Sequence, residues 1–149
     1  MKTIHKTIAP KRTIAPMSVA PRFSFAFAGA YRAPARVFGT VPRNCWVELR
    51  DHEMVARFGL WGLRTPYANI AAVEITESYA FWKTAGPARL GVTDRGLTFA
   101  TNGERGVLIT FRRPVRSSGP TFLLRHPELT VTVADVERLA RELRARIGR

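Results

Sequence analysis

The chain is short of several things. It has one cysteine, Cys45, in 149 residues, which excludes an internal disulfide and any Cys-rich zinc module. Its apolar runs fall well short of the ~20 residues that a membrane helix needs. Eleven glycines and ten prolines are too few for a collagenous or low-complexity chain. There are three histidines, His5, His52 and His126, and no two of them share a metal-ligand spacing. No Gly-x-Ser-x-Gly, P-loop or dinucleotide fingerprint occurs. Glu74 and Glu77 are the nearest acids around one strand end, and three apart on a strand means opposite faces. These shortages argue against an enzyme, and neither a cofactor nor a metal is expected.

Acids are also scarce overall: 11 Asp and Glu face 24 Lys and Arg, a formal charge of +13. Only Lys83 among the lysines follows residue 12, so the basicity is almost wholly arginine. Such a charge attracts polyanions, whether nucleic acid or an acidic membrane surface. The arginines are spread along the chain, which favours a solvated surface over one dedicated site. An arginine bias with abundant Ala, Gly and Pro also fits a high-GC coding sequence.

What remains suits one globular domain, with 46% apolar residues. Residues 1–21 read as a flexible basic extension. They hold Lys2, Lys6, Lys11 and Arg12, no acid, and prolines at 10, 16 and 21 that block regular structure. The remainder still carries 20 basic and 11 acidic residues. Met17-Ser18-Val19 would make an ordinary start, so residues 1–16 are expected to be optional or a mis-assigned start. A signal-peptide reading of Phe23 to Ala30 is weaker than a strand reading. The run is short, and Phe23, Phe25 and Phe27 alternate with Ser24 and Ala26. The protein is therefore placed in the cytoplasm, with residues 22–149 as a single domain.

Tyr31 to Phe38 has proline early and Gly39 just past its end, the asymmetry of a short helix. Two-residue alternation then predicts strands at 45–50, 53–58, 60–65, 69–76, 96–101, 105–111 and 129–133. Asn102-Gly103 reads as a tight hairpin turn. The period changes at the end: Val136, Leu139, Leu143 and Ile147 mark one face of a helix over 134–147. Thr132 and Asp135 resemble a capping box. Glu137–Arg141, Arg138–Glu142 and Glu142–Arg146 are candidate i,i+4 pairs on its wet face.

Strands in a meander, closed by one amphipathic C-terminal helix, resemble the pleckstrin-homology-like (PH-like) fold. The text also resembles a group of actinobacterial proteins over roughly residues 22–147. The shared stretches are Arg57-Phe58-Gly59, Leu63-Arg64-Thr65-Pro66 with Asn69-Ile70, Trp82-Lys83, Gly86 to Leu90, and Asp94 to Thr101. The resemblance implies a mainly β chain: an antiparallel PH-like barrel of about seven strands with a C-terminal capping helix, plus an N-terminal strand and short helix. It implies no activity. Lipid-binding members of the fold cluster Lys and Arg around the first hairpin. Here Leu49 to Glu53 offers one arginine beside two acids, a departure that argues against phosphoinositide binding.

Four features are candidates for function. Trp46 and Trp61 fall on faces opposite the main apolar set, where an exposed Trp anchors a partner. Arg112, Arg113, Arg116 and Arg125 flank a Ser-Ser-Gly-Pro loop and form the best candidate anion site. Tyr79 to Lys83 interleaves aromatics with charge, but reads better as a plug for the barrel's second opening than as a surface for nucleic acid. Cys45 lies on an apolar strand face and reads as a buried, inert thiol. The expected role is a non-catalytic binding or scaffolding module for a protein or peptide partner. The alternative is electrostatic attachment to anionic membrane lipid through the arginine-rich loops. Specific nucleic-acid binding is not expected.

Overall fold

A computed structural model describes residues 19–26, 43–77, 105–119 and 123–148, together with the backbone of 42, 89–90 and 97–99. The expected helix at 31–38, Tyr79 to Lys83 and the Met17 start lie outside the described residues.

Among the described residues nine strands form in chain order: β1 (Arg22–Ser24), β2 (Cys45–Leu49), β3 (Glu53–Phe58), β4 (Trp61–Pro66), β5 (Ile70–Glu77), β6 (Arg89–Leu90), β7 (Leu97–Phe99), β8 (Arg105–Ser118) and β9 (Arg125–Val131). An α-helix, α1 (Val136–Ile147), follows β9. The chain is mainly β, a curled, largely antiparallel sheet resembling half a barrel with a C-terminal helix.

The alternation in the sequence becomes the two faces of the sheet. Val47, Leu49, Met54, Ala56, Phe58 and Leu63 point inward and are almost wholly buried. β3 turns into β4 through Gly59-Leu60, with Gly59 at φ 58°, the left-handed backbone that a two-residue hairpin needs at that position. Past β1, Phe25 bridges Val133, and Ala26 N–H and Ala134 N–H donate to Thr132 and Ser24 carbonyls at 3.0 and 2.9 Å. These bonds tie β1 to the segment after β9.

β8 organises the fold. One edge carries β5 along its first half and β4 at its far end, while the other edge carries β9. The sequence predicts this strand only to residue 111, and β9 only from 129. The structure extends both, to Ser118 and back to Arg125. The signal that misled is Pro114 with Pro127. Pairing breaks between Thr110 and Val115, opposite Pro127, so both prolines lie in a bulge where missing donors cost no ladder bond. Arg112, Arg113 and Arg116 are thus strand residues rather than a loop.

Among the described residues, β7 does not pair with β8 as the expected hairpin of 96–101 with 105–111 requires. Both edges of β8 are occupied, and β7 instead pairs in parallel with β9, Thr98 opposite Thr130. β6 pairs antiparallel with β7.

α1 packs Val136, Leu139, Ala140 and Leu143 against β5 and β8. Arg144 pins it there, donating from Nε and Nη2 to the Val73 carbonyl at 3.1 and 2.8 Å. Its cap is Asp135, not Thr132: Asp135 Oδ1 accepts from Arg138 N–H at 3.0 Å, while Thr132 is buried. Of the expected helix pairs, Glu142–Arg146 forms at 2.5 Å. Glu137 pairs instead with Arg105 of β8. No helix among the described residues is long and apolar enough to cross a membrane.

Candidate functional site

The outward positions of β2, β3, β4 and β8 face a groove of about 600 Å³. Opposed residues in an antiparallel pair share a face, so the register fixes which side chains meet. Trp46 stands opposite Arg57, Arg57 opposite Gly62, and Gly62 opposite Ser118. Glu48 stands opposite Val55 and Val55 opposite Arg64. Continuing the β4–β8 register by one step brings Arg64 beside Arg116, and Arg116 stands opposite Arg125 on β9. The second row therefore carries three arginines on three adjacent strands.

Like charges directly opposite each other destabilise a sheet. Some of this charge is balanced. Glu48 accepts from Arg50 Nε at 2.7 Å and Arg22 Nε at 3.1 Å, contacts that hold its carboxyl below the usual 4.5, Arg50 contributing most. Glu53 accepts from Arg64 Nη2 and Nε at 3.1 and 3.2 Å. Arg57, Arg116 and Arg125 have no acidic partner among the described residues. The face thus carries positive charge without acidic partners among the described residues, beside Trp46 and Val55.

The structure sorts the sequence candidates differently from their grouping in the chain. Trp46 and Arg116 line the same groove. The register adds Arg125 at its side. Arg112 and Arg113 do not join them; they line a shallower hollow with Pro66, Ala68 and Asn69 at the bulge. The Arg22 guanidinium lies 4.1 Å from the Trp46 ring centre, a cation–π contact that covers one ring face. Trp61 is only partly exposed and packs against the core. Its indole N–H is buried with no hydrogen-bond partner among the described residues.

Arg57, Gly62 and Arg64 were not among the candidates. The legible signal was an isolated glycine inside a strand, which often marks close approach by a ligand or another backbone. Beneath Arg116 and Arg125, Ser117 and His126 face inward and are buried, with Oγ and Nε2 3.2 Å apart. That contact links β8 to β9 just past the bulge.

A second hollow of about 510 Å³ lies between the β2–β3 turn, the Tyr67 turn and the end of α1. Three of its polar side chains serve the fold. Tyr67 donates to the Arg50 carbonyl at 2.6 Å, and Glu142 is held by Arg146. Burial pushes the Tyr67 hydroxyl pKa up. Among the described residues no cluster of three or more His, Cys, Asp or Glu gathers to hold a metal. The chain matches no protein-family model, no curated protein and no solved structure.

Proposed function

We propose that the chain is a non-catalytic, PH-like binding module whose outer sheet face takes an acidic segment of a partner protein. One observation carries this reading: Trp46 and the arginines at 57, 64 and 116 share a single groove. An extended acidic segment could lay carboxylates along the arginine row and an apolar side chain on Trp46 and Val55. Arginine clusters recognise acidic motifs in this way. A cytoplasmic setting goes with this reading, as does the PH-like comparison, which rests on a run of strands followed by one packed helix.

The test is titration of the full chain with a ten-residue Glu-rich peptide, read by calorimetry at low and physiological salt. Binding should weaken with salt, and it should fall at least about tenfold in Arg57→Gln/Arg116→Gln, because charge-assisted bonds dominate such contacts. Arg112→Gln/Arg113→Gln should change little. No binding at low salt, or equal loss in both double variants, would overturn the reading.

A second reading, attachment to anionic lipid, draws on one further observation. Leu60 and Leu123 are 63% and 76% exposed, and they lie at the same end of the sheet, where the Leu60 carbonyl abuts Gly119. Co-sedimentation with anionic but not neutral vesicles, lost in Leu60→Ser/Leu123→Ser, would favour it.

A further inference from the structure

Gly62 stands in the middle of β4, where glycine weakens a strand. The groove explains its use. Arg57 lies across from it on β3, and Ser118 lies across on β8. Arg64 follows two positions along β4, and Arg116 precedes Ser118 by two on β8, so both share the outward face. Four polar side chains thus ring a position that has none. A Cβ at Gly62 would stand 2.8 Å from Ser118 Oγ, closer than real Cβ contacts allow. Glycine thus leaves the Ser118 hydroxyl in its place; any larger residue would make it turn.

The ring is also electrically unbalanced. Arg64 is oriented by Glu53. Arg57 and Arg116 have no acidic partner among the described residues. Ser118 donates to the Gly62 carbonyl at 3.3 Å, a long bond that a better acceptor could replace. A carboxylate presents two oxygens in one plane and satisfies one guanidinium fork. A phosphate monoester presents three oxygens in three directions and about two charges at neutral pH, which suits more than one guanidinium.

We propose that the Gly62 hollow is a subsite for a phosphate monoester dianion, held by Arg57 and Arg116 with the Ser118 hydroxyl, and carried on a phosphorylated serine of the acidic segment. This rests on the reading that the outer sheet face takes an acidic segment, and it narrows that reading to a phosphorylated one.

The experiment titrates the full chain with three peptides. Their acidic flanks are identical, and the central residue is Ser, Asp or phosphoserine. The phosphoserine peptide should bind about tenfold tighter than the Asp peptide at pH 7.5. The gap should shrink at pH 5.5, below the second phosphate pKa of about 6. Gly62→Ala, which sets a methyl group against the Ser118 hydroxyl and displaces it, should narrow the gap and leave the Asp peptide's affinity in place. Ser118→Ala and Arg116→Gln, which leave the strand backbone unstrained, should narrow the gap if Gly62→Ala fails to fold. Equal binding of the Asp and phosphoserine peptides would overturn the subsite while leaving the acidic-segment reading intact. Failure of all three peptides would overturn both. A phosphoserine preference unchanged in Ser118→Ala and Arg116→Gln would overturn the location. Vesicles bearing a phosphorylated inositol lipid serve as the other source of the same group. Saturable, Gly62-dependent binding to them, with no peptide preference, would overturn the phosphoserine assignment.

Discussion

The side-chain amide of Asn69 closes two hydrogen bonds with the main chain of Arg113. Its Nδ2 donates to the Arg113 carbonyl at 3.0 Å, and its Oδ1 accepts from the Arg113 N–H at 3.0 Å. The amide stands in for a strand neighbour where β8 bulges away from its ladder. A third bond, from Nδ2 to Thr65 Oγ1 at 3.1 Å, ties the same side chain to the end of β4. One residue thus holds the corner where the β8 edge passes from β5 to β4.

Asn69→Ala should therefore destabilise the fold by roughly 1–2 kcal/mol, the range for hydrogen bonds whose partners are part-exposed and regain some water. Asn69→Asp keeps the acceptor for Arg113 N–H and loses the donor, so it should fall between. Urea unfolding of both variants checks this. An unchanged midpoint in Asn69→Ala would show that solvent fully replaces the amide.

Residues whose neighbours along the chain also determine their environment were legible. Val47, Leu49, Met54, Ala56 and Phe58 alternate, and each is buried. Val136, Leu139 and Leu143 repeat at helical spacing, and each faces the sheet. The far half of β8 was not legible, because Pro114 and the run of arginines look like loop when the bulge cannot be seen. Nor was the partner of β7, since Asn102-Gly103 speaks only for a local turn. The groove itself is a cross-strand object. Arg57, Arg64, Arg116 and Trp46 are far apart in the chain, and only the register makes them neighbours.

Cys45 is fully buried, and burial pushes its thiol pKa up from 9.0 to about 11, against a smaller lowering by a hydrogen bond with the Gly59 backbone. The folded state thus keeps its proton longer than the unfolded chain. Below pH 9 both states hold the neutral thiol, and stability does not depend on its titration. Between pH 9 and about 11 the unfolded state ionises first, and stability falls. Cys45→Ala should lose less stability than the parent across that window, seen as unfolding midpoints that converge with rising pH. Parallel curves would show that the thiol does not titrate as described. At pH 8 a thiol reagent should label the parent only as fast as it unfolds.

Glu48 sits in the same outward row as Val55 and Arg64, and it holds two arginines that would otherwise face an incoming anion. Its carboxyl pKa lies below the usual 4.5, chiefly through the Arg50 hydrogen bond and next through Arg22. The ionised form is thus favoured in the folded state. That stability is present above the ordinary carboxylate pKa and is lost as pH falls through the lowered one. Glu48→Gln removes one negative charge from the groove's rim and releases Arg22 and Arg50. Two effects should follow together: less stability at neutral pH, and an acidic peptide that binds about threefold tighter with a steeper salt dependence. Releasing Arg22 should also uncover Trp46 and shift its fluorescence. Calorimetry and emission spectra on one preparation test both. Weaker binding in Glu48→Gln would mean that Glu48 orients the arginines for the ligand, not that it competes with it.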